Sequence, residues 1–591
     1  MQSAETVLGV LRDRGKRGLP CSQLYRQLFN VQLYLSAHGR IYANKGAMTP
    51  GSTPETADGM SVEKIERIID AMRCERYRFA PVRRTLIPKK DGKMRPLGMP
   101  TWSDKLVGEV VRLLLEAYYE PTFSPRSHGF RPGRGCHTAL RQVANTWTGT
   151  VWFIEGDISD CFGSLDHNVM VKILAERIHD QRFLRLIRNM LSAGYLEDWT
   201  WHPSFSGAPQ GGVVSPILSN IYLHKLDEYI ETVLIPQHTR GDKRYRPPAY
   251  TALKRRMRQA RQRGDWAQVR DLTRKLRSMP AGDPQDSGYR RLRYSRYADD
   301  HLLGFVGPKA EAEQIKRQLA TFLRDELVLE LNADKTLITH ARTHAARYLG
   351  YEIITQHSDT KITNGRRLVN GKIGLRIPRD VITAKTAPYL LRGKPASRPT
   401  LQNLADYTIV KIYGAEFRGV VQYYQLAVNV GRLNSLEWAA QTSMLKTLAR
   451  KHQSTVTTMA ARYRAKIETP QGLRTCYQAR IERNGKPALV ARFGGIPLTR
   501  NRDAVLVDDI PKPVTYPRKE LTVRLMRGWC ELCEQPASVV VHQVRNLARL
   551  GQPGPGQPAW AALMASKQRK TLVVCQPCHD VIHGRATPTT A

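Results

Sequence analysis

The stretch Arg290–Phe305, RRLRYSRYADDHLLGF, places two adjacent carboxylates, Asp299 and Asp300, inside an apolar run that is typical of a strand. An ionised carboxylate is costly to bury without a positive partner, and two neighbours repel each other. A third acid, Asp157, ends the apolar run VWFIEGDI at residues 151–158. Three carboxylates from two strands can bind two Mg²⁺ ions about 4 Å apart. The sequence thus predicts a magnesium site able to activate a primer 3′-hydroxyl and to stabilise a departing pyrophosphate.

The charge of the whole chain indicates a polyanionic partner. Its 591 residues include 92 Lys and Arg against 52 Asp and Glu, which gives a net charge of +40. Because 41% of the residues are hydrophobic, the chain can fold into several domains with substantial cores. A protein this basic repels itself unless nucleic acid neutralises it. A solvated basic surface, as in some ribosome-associated proteins, is the alternative that charge alone leaves open.

The compartment is predicted from the N-terminus and the cysteines. The opening MQSAETVLGVLRDRGKRG lacks the apolar core of a signal peptide, and no apolar run is long enough for a bilayer. Five of the nine cysteines are scattered, whereas Cys530, Cys533, Cys575 and Cys578 form two C-x-x-C pairs. In an intracellular chain such pairs indicate a metal rather than disulfides. We expect no membrane partner and a location in the reducing cytoplasm.

Apolar periodicity predicts the order of the elements. Leu24, Leu28, Val31 and Leu35 indicate an N-terminal helix, which leads into a Gly/Pro/Thr-rich loop at residues 44–59. We further expect a hairpin over 83–100, helices over 167–194, and domain edges at Pro-rich connectors after Leu375 and at 508–520. One face of a later amphipathic helix is marked by Ile409, Ile412, Tyr413, Phe417, Val420, Tyr424 and Ala427.

A strongly basic segment lies at residues 240–277. It carries 14 Lys and Arg against 3 Asp and Glu in a helical pattern rich in Gln and Arg. A solvated helical hairpin is the simplest interpretation of that pattern. In a chain this basic we favour contact with nucleic-acid phosphates.

The blocks around the three aspartates resemble, in order, those of the reverse transcriptases encoded by group II introns. The resemblance covers most of the chain. Its blocks are NKGAMTPGSTPETADGM (44–60), IPKKDGKMRPLGMPTWSDKLV (87–107), SHGFRPGRGCHTAL (127–140), GDISDCFGSLDH (156–167), GAPQGGVVSPILSNIYLHKLD (207–227), YSRYADDHLLGF (294–305), LELNADKTLITH (329–340), ARYLGYEI (346–353) and the thumb-like YYQLAVNVGRLNSLEWAAQTSMLKTLARKH (423–452).

The resemblance implies a role for each matching residue of the polymerase site. Asp157, Asp299 and Asp300 match the metal ligands, and Lys335 matches a general acid near the leaving pyrophosphate. Phe162 matches an aromatic gate that would clash with a ribose 2′-hydroxyl and so favour deoxynucleotides.

Further matching residues are implied to bind substrates. Lys89 and Arg95 would grip the triphosphate of the incoming dNTP, as paired cations can. Gln210 and Gly211 would support the template and the nascent base pair, and Arg131 would contact the template backbone. One departure is Gly163, where the family usually has a second Asp; because that residue is not a metal ligand, we expect polymerisation to be intact.

The C-terminal cysteines predict a tetrahedral Zn²⁺ site that stabilises a small fold. The nearby sequences VVVHQV and CQPCHDVIH resemble the HNH (ββα-metal) endonuclease at the C-terminus of many group II intron proteins. The resemblance implies that His542, His579 and His583 hold a divalent ion. Gln543 occupies the position of the general-base histidine, and Lys570 that of the asparagine that orients it. A glutamine cannot take a proton near neutral pH, so we expect weak or absent DNA cleavage.

The predicted architecture is α+β, a right-hand polymerase extended by further domains. Residues 1–375 form fingers and palm with a basic insertion at about 236–290, 376–475 an α-helical thumb (maturase or X domain), 476–525 a DNA-binding region assigned by position, and 526–591 the zinc-stapled HNH-like module.

The predicted function is RNA-directed DNA synthesis and splicing assistance within a ribonucleoprotein. By resemblance, the partners are group II intron RNA, target DNA and dNTPs, and retrohoming proceeds by target-primed reverse transcription in the bacterial cytoplasm, at the nucleoid when on target DNA. The alternatives are a splicing-only RNA-binding maturase, and another bacterial reverse transcriptase such as a retron or diversity-generating type. The intact aspartates argue against the former, and the thumb block and the HNH-like tail argue against the latter.

Overall fold

The computed structural model describes most of the chain. The described residues are 2–88, 92, 94–198, 200–204, 206–207, 212–283, 285–358, 361, 369–483, 486–508, 520–547, 550 and 556–586. Within these residues, no helix combines the length and the apolar character required to cross a bilayer.

The N-terminal part surrounds a buried helix, Trp102–Tyr119. Thr101 caps this helix by accepting a hydrogen bond from the Asp104 backbone, and nearly every helix residue is buried, as expected for a helix enclosed by protein on all sides. The N-terminal sheet runs in the order Met94–Met99, Val82–Pro88, Tyr195–Glu197, Thr200–His202. The other helices of this part are Ala4–Lys16, Leu24–Gln27, Val31–Ile41, Val62–Arg73 and Cys136–Thr146.

The predicted N-terminal helix is two helices rather than one. Leu24–Gln27 ends before Val31–Ile41 begins, although the apolar spacing continues across the break. The cause is Asn30, whose side chain accepts a hydrogen bond from the Gln32 backbone at 3.0 Å and caps the second helix.

A central sheet carries the acidic motifs. Its strands lie in the order Arg291–Tyr297, Asp300–Val306, Trp152–Gly156, Ile338–His340, and all pairs are antiparallel. The predicted strand at 151–158 and the strand-like run at 290–305 are thus confirmed. The helices of this part are Cys161–Ser164, His167–Ala175, Gln181–Leu191, Ser215–Tyr229, Ile235–Gln237 and Lys309–Leu327, with a π-helical turn at Ile230–Leu234.

The basic segment forms the expected helical hairpin. Its helices, Pro248–Gln262 and Trp266–Ser278, share a small core of Ala260, Val269 and Leu272. Most of the basic side chains face solvent.

The part after the central sheet is helical and ends in a sheet. The predicted amphipathic helix is Asp406–Tyr424, and its buried face includes Ile409, Tyr413, Phe417 and Tyr424. The other elements are the sheet Ala346–Tyr348, Tyr351–Thr355, Ile373–Arg376, the short strands Leu390–Leu391 and Lys394–Pro395, and the helices Arg379–Thr386, Asn434–Lys451 and Val456–Tyr463.

A sheet of Arg464–Thr469, Gly472–Arg483 and Lys486–Gly494 crosses the domain edge predicted at 475/476. This sheet packs on helix Asp406–Tyr424 so closely that a Cβ on Gly414 would overlap the Arg492 carbonyl oxygen. Residues 476–494 therefore belong with the helical part. The edge predicted at 475/476 falls inside the strand Gly472–Arg483, which pairs with the strands on both sides of it.

The C-terminal module, residues 520–586, contains helices Glu520–Met526, Ala559–Lys567 and Gln576–Ile582 and strands Val539–Gln543 and Thr571–Cys575. Its strands pair with each other, and Met60–Ser61 adds an edge strand from the N-terminal part. The register places Met60 opposite Val541 and Ser61 opposite Val540. The module is therefore docked on the N-terminal part through a shared sheet.

Candidate active site and metal centres

The three predicted aspartates meet at one end of the central sheet. Asp299 lies in the turn of a hairpin in which Tyr297 pairs with Asp300, and Asp157 follows Gly156, which pairs with His301. A Cβ on Gly156 would overlap the imidazole of His301, so glycine allows the two strands to approach this closely. The register thus brings together carboxylates that are more than a hundred residues apart in sequence.

The cluster has an excess of negative charge. Although Asp300 keeps contact with solvent, partial burial raises its pKa to about 7, and repulsion from Asp299 and Asp157 adds to the shift. Burial likewise raises the pKa of Asp299, with a further rise from Asp157, while Lys335 and Arg95 lower it. Oxygen donors crowded in this way fit hard divalent cations, which would relieve the repulsion.

Lys335 supplies a positive charge beside the cluster. Its Nζ lies 2.7 Å from Asp157 Oδ2, and this hydrogen bond raises the pKa of Lys335. The loop that carries Lys335 is anchored to the same strand end, because the Asn332 backbone donates to the Asp157 carbonyl at 2.8 Å. The structure therefore places the predicted general acid beside the aspartates.

Phe162 and Gly163 lie on the short helix Cys161–Ser164, next to the aspartates in sequence. The Phe162 side chain is half-buried. A Cβ on Gly163 would overlap the Asp160 carboxylate, which fills the space that the family's second Asp would need. The departure at Gly163 is thus accommodated by Asp160 in a left-handed conformation, φ 40°.

Arg131 differs from the expectation. Its side chain is 4% exposed, is paired with Glu120 at 2.9 Å, and donates to the carbonyls of Ser124 and Ser127. The predicted contact of Arg131 with template needs a free guanidinium, whereas here the group is enclosed and its donors are occupied by protein. Arg131 instead holds the loop that supports the aspartate turn.

Of the other residues predicted to bind the triphosphate and the template, the structure describes one and leaves three outside the described residues. Arg95 lies exposed on strand Met94–Met99 and lowers the pKa of Asp299, so its charge reaches the cluster. Lys89, Gln210 and Gly211 lie outside the described residues. Beside the cluster, a cavity of about 360 Å³ lies between the N-terminal sheet and the loop before helix Ser215–Tyr229, lined among others by Arg84, Asp160 and Gly163.

A buried ion pair beneath the aspartate turn was not predicted from the sequence. Arg296, three residues before Asp299, donates through Nη2 and Nε to both carboxylate oxygens of Asp227 at 2.6 and 2.8 Å. It also donates to the carbonyl of Ala298, which is held in the left-handed region at φ 55°. Burial would raise the pKa of Asp227, but the charge of Arg296 outweighs it and holds that pKa at about 2. Arg296 is one of three arginines in the strand RLRYSRY, so no local pattern singles it out.

The four predicted cysteines converge in the C-terminal module. Their sulfur atoms lie within 4.8 Å of one another, and those of Cys533 and Cys575 are 3.8 Å apart. Zinc–sulfur bonds of about 2.3 Å in a tetrahedron give sulfur–sulfur edges of about 3.8 Å. The cluster therefore has the donor chemistry and spacing of a tetrahedral metal site.

The three predicted histidines also converge, and they meet a residue that the sequence analysis missed. His542 lies on strand Val539–Gln543, while His579 and His583 lie on and just after helix Gln576–Ile582. Their ring nitrogens and a carboxylate oxygen of Asp58 lie within 4.8 Å of one another. Asp58 belongs to the predicted Gly/Pro/Thr-rich loop, whose composition carries no sign of a metal ligand.

Three family models match successive parts of the chain. They are described as reverse transcriptase (RNA-dependent DNA polymerase) over residues 87–353, type II intron maturase over 375–494, and AI2M/AI1M-like HNH endonuclease over 530–579. The "Group II intron-encoded protein LtrA" of Lactococcus lactis subsp. cremoris is 36% identical, over 95% of this chain and 96% of its own. The chain belongs to the group II intron-encoded proteins.

Relatives in fungi are consistent with this assignment. The "Uncharacterized 91 kDa protein in cob intron" of Schizosaccharomyces pombe is 33% identical over 98% of this chain and 73% of its own. The "Putative COX1/OXI3 intron 1 protein" of Saccharomyces cerevisiae is 31% identical over 94% and 68%.

This group II intron-encoded protein is a reverse transcriptase and maturase. The polymerase model covers all three aspartates, and the maturase model extends to residue 494, past the domain edge predicted at 475. The prediction of an RNA-directed DNA polymerase of the intron-encoded class is confirmed. The reverse transcriptase and HNH domains imply the use of divalent metal ions.

Proposed function

We propose that this intron-encoded protein copies its intron RNA from a target-DNA primer at a centre formed by Asp157, Asp299 and Asp300. The observation that carries the proposal is the register of the central sheet, which brings these three carboxylates to one strand end beside Lys335. Residues 1–375 then act as fingers and palm, and the helical part as the thumb of a right-hand polymerase.

The carboxylates would hold Mg²⁺, which activates the primer 3′-hydroxyl and offsets charge on the phosphates when bound. Lys335 is protonated at neutral pH and can give a proton to, or neutralise, the leaving pyrophosphate. Arg95, on the exposed strand facing the cluster, orients the triphosphate. Phe162 restricts the space for the sugar and so excludes ribonucleotides.

Intron RNA and target DNA are the proposed macromolecular partners, in a ribonucleoprotein particle within the bacterial cytoplasm. The exposed basic helices Pro248–Gln262 and Trp266–Ser278 suit contact with phosphates. The cysteine cluster suits Zn²⁺ as a structural ion. We propose that the HNH-like module serves in DNA binding and does not cleave the second strand, because Gln543 stands at the general-base position.

The decisive test is primer extension on an RNA template with Mg²⁺ and dNTPs. Asp299→Asn, which keeps the shape of the side chain, should abolish extension while intron splicing by the same preparation continues. If wild type and Asp299→Asn both fail to extend while splicing proceeds, the splicing-only maturase is the correct interpretation. Robust second-strand nicking that depends on His542 would refute the proposed loss of nuclease activity.

A further inference from the structure

The histidine cluster of the HNH-like module is closed by a carboxylate from the other end of the chain. Asp58 Oδ1 lies 3.2 Å from His542 Nδ1 and 3.4 Å from His579 Nε2, and Asp58 Oδ2 lies 2.8 Å from His583 Nε2. Tetrahedral zinc with ligands at about 2.0 Å has edges of about 3.3 Å. The distances from Asp58 Oδ1 to the nitrogens of His542 and His579 therefore match the spacing between ligands of one zinc ion.

The burial and the contacts of His542 favour a cation at the centre of the cluster. The His542 side chain is 4% exposed; its Nδ1 is paired with Asp58 Oδ1 at 3.2 Å, and within the described residues its Nε2 makes no hydrogen bond. A cation bound by all three rings and Asp58 would lie where these four groups converge and would neutralise the carboxylate.

We infer that Asp58 is the fourth protein ligand of a zinc-type ion held by His542, His579 and His583, and that this closed site fastens the C-terminal module to the N-terminal part. Three imidazoles and a carboxylate suit zinc better than magnesium. Four protein ligands complete a tetrahedron, which is the arrangement of structural rather than catalytic zinc. This inference rests on the proposed function in assigning the module a role without cleavage.

The backbone after Asp58 leads directly into the contact between the N-terminal part and the C-terminal module. Gly59 adopts a left-handed conformation, φ 76°, and its N–H donates to the Val541 carbonyl at 2.9 Å. The chain thereby turns directly from the carboxylate into the edge strand Met60–Ser61. Because the ligand and the strand are adjacent, metal binding and sheet pairing stabilise the same interface.

Gln543, the residue at the general-base position, also contacts the N-terminal part. The Gln543 backbone donates to Asp58 Oδ1 at 2.8 Å, and its side-chain amide donates to the Tyr42 carbonyl at 2.8 Å. Gln543 is therefore part of the docking surface rather than of an open groove. Asp58 and Gln543 thus cover one side of the cluster, while His583 remains exposed on another.

The inference is tested by metal analysis of the full-length protein. Wild type dialysed against a weak chelator should retain one zinc ion for each of the two clusters, as measured by elemental mass spectrometry. Asp58→Ala should weaken the histidine-bound zinc by at least about tenfold, since even outer-shell changes cost this much. Cys530→Ser should remove the other ion and so assign each to its cluster.

A matched control separates the metal from the interface. Glu63 accepts a hydrogen bond from Ser538 at 2.5 Å across the same interface but is no ligand. Glu63→Gln should retain both ions, whereas Asp58→Ala and chelation should both increase hydrogen exchange in strands Met60–Ser61 and Val539–Gln543.

Two results would overturn the inference. Zinc affinity unchanged in Asp58→Ala would show that Asp58 is not a ligand, and wild type holding the cysteine-bound ion alone would show that the cluster is an ion pair. Nicking of DNA by wild type, with zinc still lost in Asp58→Ala, would contradict the proposed lack of cleavage while leaving the fourth ligand established.

Discussion

Arg296 and Asp227 form a two-pronged ion pair directly beneath the aspartate turn, with side chains 0% and 1% exposed. Tyr294 adds a hydrogen bond to Asp227 at 2.8 Å, and Ser127 accepts one from Arg296 at 2.9 Å. The pair connects the hairpin that carries Asp299 to helix Ser215–Tyr229. It fixes the turn without contacting substrate, so both residues are positioning residues.

Removing one partner of this pair should destabilise the protein. Arg296→Leu leaves the Asp227 carboxylate buried without a counter-charge, which costs about 3–5 kcal/mol. Denaturant unfolding should show this loss, and primer extension should fall with it. The exposed pair Arg347–Asp380 is the control, because Asp380→Ala should change stability by about 1 kcal/mol or less. A loss in Arg296→Leu no larger than in this control would contradict the role of the pair.

Lys335→Ala should slow nucleotide addition with little effect on dNTP binding. A general acid contributes about 10²–10⁴-fold, so kcat should fall by at least about 100-fold while KM changes little. Steady-state single-nucleotide extension over a series of dNTP concentrations measures both constants. Lys309, an exposed lysine paired with Glu313, provides the control Lys309→Ala. An effect confined to KM would assign Lys335 to substrate binding.

Phe162→Ala should relax sugar selection. Loss of the ring opens space for a 2′-hydroxyl, and steric discrimination of this kind is worth about 1–3 kcal/mol. Incorporation of a ribonucleotide relative to the matching deoxynucleotide should therefore rise by about 10- to 100-fold. Ratios of kcat/KM for the two substrates, compared with wild type, check this. An unchanged ratio would return Phe162 to a packing role.

Neutralising the basic hairpin should reduce the salt dependence of RNA binding. Arg255, Arg256, Arg258 and Arg261 all face solvent on helix Pro248–Gln262. If each contacts a phosphate, changing all of them to Gln should reduce the slope of log affinity against log salt by about 3. Filter binding of intron RNA over a salt series measures the slope. A slope equal to that of wild type would show that these arginines face solvent and do not contact the RNA.

Much of the polymerase site was predictable from sequence because its signals are local. Asp157 ends an apolar strand and Asp299 lies in a tight turn between two others, so pattern and spacing reveal the elements that carry them. The spacing of the two C-x-x-C pairs likewise predicts a metal site without knowledge of the fold. The aspartates lie next to strands that the apolar pattern of the sequence reveals.

Tertiary structure alone decided the relationships between distant segments. Nothing in a Gly/Pro/Thr-rich loop indicates that Asp58 will reach His583, because partner choice depends on the docking of Met60 opposite Val541. Arg131 was assigned to the template by its motif, but packing encloses it with Glu120. Local sequence patterns thus specify the chemistry that each segment carries. Folding decided which charges are buried together, because burial and counter-charge depend on contacts that no local pattern encodes.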